Sequence, residues 1–334
     1  MDGEKSSRGR LWQDLKILLM LVLIAAAGIG ITLLRGGRAV GQADGLHIVT
    51  TVRPLYAAAL QLTDGVPDVR VENLTGSSTG CLHDYQLSPA NRLSLARADL
   101  VVLNGAGAEG FLDEVLPQLD ASVADTSAGI ELLSGHEHDH EHEEDHDHDH
   151  EEDHDHEHED DHDHAVNEHI WVSPTRYAAQ VRTLSAALQA ADPAHAAQYA
   201  QNAARYLVQI QTTEERMQTL RQRLQGRRCV LFHDSLAYLA DELSLQVAAV
   251  LPVGEDSGVS AGELAEAERI AREDPTVLLI YDDQYTTRFG SVDRQVPADR
   301  VLALDTAVKG EGRADDWLQA MERTLSRLEN IGEG

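Results

Sequence analysis

Between Leu46 and Leu328 short apolar runs alternate with helical stretches, and the alternation breaks off once, from Thr175 to Leu224. LHIVTTV (46–52), VRVENLT (69–75) and ADLVVLNG (98–105) precede the break, and RCVLFHD (228–234), LQVAAVL (245–251), TVLLIYD (276–282) and RVLALD (300–305) follow it. Runs this short and this apolar, bounded by Pro, Gly or Asp, read as strands buried on both faces. Helices are predicted after Arg53-Pro54 through Leu60, from Ser88-Pro89 through Ala96, over Phe111 to Leu119, and from Asp315 to about Leu328. Strand–helix alternation on both sides of the break predicts two parallel sheets, each covered by helices.

The interruption is rich in Ala, Gln, Leu and Arg and is punctuated at Asp192-Pro193, where Asp192 is placed to cap a second helix with Pro193 in its first turn. Leu207, Ile210, Met217, Leu220 and Leu224 give that helix an apolar stripe. At 1.5 Å per residue a helix over 194–225 is about 45 Å long, enough to run along two lobes. The expected fold class is therefore α/β, with two parallel-sheet lobes (46–172 and 227–334) joined by a helical linker (173–226). The chain, at 334 residues, has the length for two such domains.

Two segments stand apart from that body. Lys5, Arg8, Arg10 and Lys16 precede an apolar run from Ile17 to Leu34, closed by Arg35. This reads as a cytoplasmic stub and membrane anchor over 1–40, with a cleaved signal segment as the alternative, small residues near Ala39 and Ala43 being the candidate cleavage points. In either case the positive flank stays inside and the rest is extracytoplasmic. Residues 136–164 consist of 12 His and 17 Asp or Glu and nothing else. With no apolar surface to bury, they are expected to form a mobile loop on the first lobe. Imidazoles at this density point to zinc, copper or nickel. Formal net charge is −30, of which the loop supplies −17, leaving −13 for the body. So acidic a chain repels nucleic acid and attracts cations. Cys81 and Cys229 are expected to be unpaired, although an exported chain could join them.

Ligands of parallel α/β sheets bind beyond the carboxyl ends of the strands. Four metal-ligating residues lie in such places: His83 in CLHDYQLSP, His169 in EHIWVSP, His233 ending RCVLFHD and Asp305 ending RVLALD. Two come from each side of the long helix, so one ion in the cleft would connect both halves. Asp84 and Asp234 follow two of these histidines as orienting acids or, preferably, helix caps, and Glu168 is a lesser candidate for a supporting acid. His47 and His195 read as exposed or structural residues.

These segments also carry a resemblance. HDYQLSPANRLSLARADLVVLNGAGAEGFLD (83–113), HIWVSP (169–174) and FHDSLAYLADELSL (232–245), in that order, resemble the zinc/manganese-type solute-binding proteins of ABC importers, and the likeness extends from about 46 to 330. It implies two α/β lobes joined by a rigid helix, a metal in the interlobe cleft, and His83, His169 and His233 as its ligands. Asp305 would hold a fourth position that in zinc members can be water. A histidine at position 233 and a His-rich loop resemble the zinc members. The implied function is an extracytoplasmic zinc receptor, monomeric and not an enzyme, that passes Zn2+ to a permease and its ATPase. Manganese or iron as cargo is the alternative within the family. A zinc hydrolase is the alternative outside it, but no HExxH helix, nucleophile elbow or general base accompanies the histidines. The resemblance does not explain the anchor-like N-terminus without a lipidation cysteine, or Cys81 two residues before His83.

Overall fold

The computed structural model describes residues 45–76, 82, 85–135, 166–253, 259–285 and 287–332. The anchor segment, the His-rich loop, Cys81, His83 and Asp84 lie outside these residues. Among the described residues no helix is long and apolar enough to cross a membrane.

The first lobe is built on a parallel sheet of β1 (Leu46–Thr50), β2 (Val69–Asn73), β3 (Leu100–Leu103) and β4 (Ser122–Asp125), in the order β2-β1-β3-β4. The second repeats this plan with β5 (Arg228–Leu231), β6 (Gln246–Val250), β7 (Leu278–Asp282) and β8 (Val301–Leu304), in the order β6-β5-β7-β8. Strands inside each sheet are apolar because both faces are covered, so β3 and β7 are buried throughout. The crevice of such a sheet lies where chain order reverses, between β1 and β3 and between β5 and β7. Thr51, Asn104, His233 and Asp282 all stand at those two points.

Helices α1 (Arg53–Leu62) and α2 (Pro89–Arg97) belong to the first lobe. Helix α3 (Pro174–Ala191) and helix α4 (Ala196–Leu224) form the antiparallel linker. Helices α5 (Ala237–Glu242), α6 (Ala261–Glu273), α7 (Gly290–Asp293) and α8 (Asp316–Glu329) complete the second lobe. With 29 residues, α4 is about 43 Å long. It turns Tyr199, Ala203, Tyr206, Ile210, Met217, Leu220 and Leu224 inward along one stripe and packs on both α1 and α8. One apolar core therefore runs unbroken from Leu46 and Ile48 through the linker to Leu302 and Trp317.

Local expectations fail in three places. A helix over Phe111–Leu119 does not form; two 3-10 turns, Gly110–Leu112 and Leu116–Gln118, stand there. Pro117 lacks a donor and its ring would collide with the carbonyl four residues back. Strand β4 was not expected, since only Ala124 among its residues is buried and no apolar run marks it. Asp192 does not cap backbone N–H groups: its Oδ2 lies 2.7 Å from His195 Nδ1 and accepts from the Tyr199 hydroxyl at 3.0 Å. The Cys229 thiol is buried and unpaired, and burial pushes it up to about 12.

Candidate metal centre

His169 is delivered by a strap that enters α3. Ser173 caps that helix, its Oγ accepting from Arg176 N–H, with Pro174 in the first turn. This fixed start leaves Ile170–Val172 in a 3-10 turn and places His169 just ahead of it, 3% exposed. The strap is pinned to the first lobe by Asn104, whose Nδ2 donates to the Glu168 carbonyl at 2.8 Å, and Gln180 in turn donates to Asn104 Oδ1.

Asn167 sets which nitrogen of His169 carries the proton. Its Nδ2 donates to the Asp234 carbonyl at 2.8 Å, so its Oδ1 faces the histidine. That oxygen accepts from the His169 backbone N–H at 2.9 Å and lies 3.1 Å from the ring Nδ1. An amide oxygen only accepts, so Nδ1 carries the proton and Nε2 keeps its lone pair.

His233 follows β5 in extended backbone and is 5% exposed. The two imidazoles, one from each lobe, meet edge to face with centroids 5.6 Å apart. Tyr285 stacks on His233 at 4.8 Å and Trp171 lies 5.4 Å from His169, so each imidazole has an aromatic neighbour that limits water. Asp234 Oδ1 is 3.1 Å from His233 Nδ1 and 3.9 Å from His169 Nδ1. His169, His233 and Asp234 offer ligand atoms within 4.8 Å of one another. Asp234 was expected to serve as a helix cap, but the cap of the following turn is His233 itself, whose Nδ1 accepts from Ser235 N–H at 2.9 Å.

Asp305 stands outside this group. Its Oδ2 accepts from Arg323 Nε and Nη2 at 2.8 and 2.6 Å, and its Oδ1 from Ala307 N–H at 2.8 Å. His83 lies outside the described residues, but Leu82 before it lines the same cleft as His169, together with Val52, Glu168 and Val308. His47 pairs with Glu72 and His195 with Asp192, both away from this cleft, as structural residues do.

A second buried acid supports the strap from beneath. Glu109 is 5% exposed and accepts from the Thr51 hydroxyl and from the Asn104 and Gly105 N–H groups. Burial outweighs these donors and pushes its carboxyl up to about 7. Across the lobes, Arg53 Nη1 meets Asp316 Oδ2 at 3.2 Å, Trp171 donates to the Thr306 carbonyl at 2.8 Å, and Trp317 donates to the Trp171 carbonyl at 3.0 Å. Sequence reasoning did not find Asn167, Tyr285 or Glu109. An amide two residues before a candidate ligand was the available sign of Asn167; Tyr285 and Glu109 are brought in by tertiary structure alone.

Comparison with known proteins follows the same lines. The profile of a family described as "ZnuA: Zinc-uptake complex component A periplasmic" matches residues 48–331. The high-affinity zinc uptake system protein ZnuA of Bacillus subtilis (strain 168) is 28% identical over 276 residues, covering 81% of each protein. The zinc-binding lipoprotein AdcA of Streptococcus pneumoniae is 26% identical over 298 residues; these are 86% of this chain and 56% of that longer protein. The solute-binding protein FpvC of Pseudomonas aeruginosa, solved with Ni2+, superposes with a TM-score of 0.67 over 86% of this chain and 97% of that one, at 20% identity. That last likeness speaks for the fold.

Proposed function

Because the chain belongs to the ZnuA family of periplasmic zinc-uptake components, we propose that it is an extracytoplasmic receptor that captures Zn2+ and delivers it to an ABC permease driven by its ATPase. The family consists of binding proteins, not enzymes, and the ion is cargo. The observation that carries the reading is the meeting of His169 and His233, buried and supplied by opposite lobes, within one cluster of ligand-type groups. His83 is the third imidazole of the proposed set, and a carboxylate completes a tetrahedral site with Zn–N bonds of about 2.0–2.1 Å. Asp305 joins such a set only on release from Arg323. Three imidazoles favour zinc over manganese, which prefers oxygen donors. The N-terminal segment tethers the chain, which acts as a monomer, and residues 136–164 gather zinc weakly.

Isothermal titration of the extracytoplasmic part with Zn2+ tests this. One tight site is expected, retained when 136–164 are deleted and lost in His169→Ala and His233→Ala. Loss of the tight site together with the loop would overturn the assignment. Competition with Mn2+ should leave zinc bound.

A further inference from the structure

We propose that Asp282 is the positioning residue of the second lobe's half of the metal site, an assignment that rests on the zinc-receptor reading. Asp282 ends β7, between β5, which leads into His233, and β8, which leads into Asp305. It is 1% exposed. Its Oδ2 accepts from the Ser235 hydroxyl at 2.7 Å and from Gln284 Nε2 at 2.8 Å, and its Oδ1 accepts from the Gln284 N–H at 3.0 Å. The Thr306 hydroxyl reaches both oxygens, at 3.2 and 3.1 Å. A carboxylate offers about four acceptor positions, and these donors take them up. Asp282 is thus held as an organiser of its own lobe rather than as a ligand.

Each donor borders a group at the centre. Ser235, held at its hydroxyl by Asp282, donates its backbone N–H to His233 Nδ1 at 2.9 Å. Gln284 directly precedes Tyr285, whose ring stacks on His233 at 4.8 Å. Thr306 presents its carbonyl to Trp171 Nε1 at 2.8 Å, and Trp171, from the strap, lies 5.4 Å from His169. One side chain therefore fixes the edge and the face of the His233 ring and the seat of the strap that carries His169. Ser235 and Thr306 are fully buried, so water does not replace a bond lost there.

The test compares wild type with Asp282→Asn, Ser235→Ala, the double variant and Leu328→Ala. The last is a core truncation on α8 at the other end of the sheet, beside Arg223 where α4 runs into β5. Zinc affinity is measured against a chromophoric chelator, together with the visible absorption of the Co2+-loaded protein and denaturant unfolding of the metal-free protein. Asp282→Asn puts an amide nitrogen where an acceptor is needed. It is expected to weaken zinc about 10–100-fold, the range for groups that orient a ligand, and to shift the cobalt bands. Ser235→Ala should do both to a smaller extent. The double variant should bind as Asp282→Asn does, because the hydroxyl acts through the carboxylate. Leu328→Ala should lose stability while keeping wild-type affinity and spectrum. Wild-type affinity in Asp282→Asn, weakening with an unchanged cobalt spectrum, or losses that simply add in the double variant overturn the assignment. If Asp282→Asn does not fold, wild-type affinity and spectrum in Ser235→Ala overturn it. Failure of the wild-type protein to bind one zinc tightly would instead remove the receptor reading, and this inference with it.

Discussion

Replacing Asn167 by alanine should disable the site without touching a ligand. The amide makes three bonds: to the His169 N–H at 2.9 Å, to the His169 ring at 3.1 Å, and to the Asp234 carbonyl at 2.8 Å. All lie in the buried region where the two lobes meet. A buried polar group deprived of its partner costs about 1–3 kcal/mol, and partial relaxation keeps the total for three below their sum. A loss on the order of 3 kcal/mol of metal-free stability is expected. The effect on zinc has a separate origin. Without the Asn167 oxygen the proton of His169 is free to move to Nε2, and the ring is free to turn. Groups that fix an imidazole in this way are worth 10–100-fold in metal affinity, or about 1.4–2.8 kcal/mol.

Asn167→Asp distinguishes the two effects. A carboxylate keeps an acceptor for both His169 N–H groups but offers the Asp234 carbonyl an oxygen in place of a donor. Chemical denaturation should show this variant losing about 1–3 kcal/mol, while competition titration shows zinc affinity at or above wild type. If Asn167→Ala binds zinc as tightly as wild type, the claim that this amide sets the tautomer is wrong. Equal affinity losses in the two variants would refute it as well.

Other expectations follow from the same contacts. The Glu109 carboxyl, raised from 4.5 to about 7 by burial, holds a proton in the folded state over a pH range where the unfolded chain has released it. Stability from this group is therefore full below about pH 4.5 and lost as pH rises through 7, a change on the order of 3 kcal/mol. Denaturant titrations from pH 5 to 8 should show this slope in wild type, and Glu109→Gln should flatten it. Removing one partner of the buried Arg53–Asp316 pair strands the other, so Arg53→Ala should cost about 3–5 kcal/mol in thermal or denaturant unfolding; a loss under about 1 kcal/mol would show that water replaces the guanidinium. Gly105 has φ +83°, and a Cβ there would meet Asp125 Oδ1 at 1.9 Å. A glycine-to-alanine change at a relaxed position raises stability by about 0.4–1 kcal/mol, whereas Gly105→Ala should lower it by more than that amount, and a melting temperature equal to wild type would contradict the contact.

The fold was legible in the sequence because both sheets are parallel. Strands such as LVVL and LLIYD, buried on both faces, must be apolar without alternation, and they stand out from the helices between them. The long helix announced itself by its stripe. What stayed hidden is what apolar pattern does not govern. Edge strand β4 buries one residue and carries no signal. The turns around Pro117 have helical composition but lack a donor where a helix needs one. At the site, His233 was visible as a ligand type ending a strand and His169 as one just before the long helical region, whereas their orientation was not. Whether Asp234 caps a helix or faces two imidazoles depends on a partner 65 residues away at His169, which no local pattern specifies.

The repetition of one strand order in both lobes explains why the site is shared. Each sheet opens its crevice where chain order reverses, at Thr51 and Asn104 in the first lobe and at His233 and Asp282 in the second. Setting the two crevices face to face brings His169 and His233 together, and it also makes the interface around them part of the candidate site. Tyr238 of the second lobe donates to the Asn167 carbonyl and accepts from Leu133 N–H, and Arg176 beside the strap pairs with Asp241. Trp171, between His169 and α3, bonds to Thr306 and Trp317. A wide hinge opening would break these bonds together with the Arg53–Asp316 pair and would expose a core that runs through both lobes. Movements of the strap and of individual ligand side chains break few of them. The energetics of the interface therefore favour a site that loads and unloads by local rearrangement, with the lobes kept in contact by the same groups that orient the histidines.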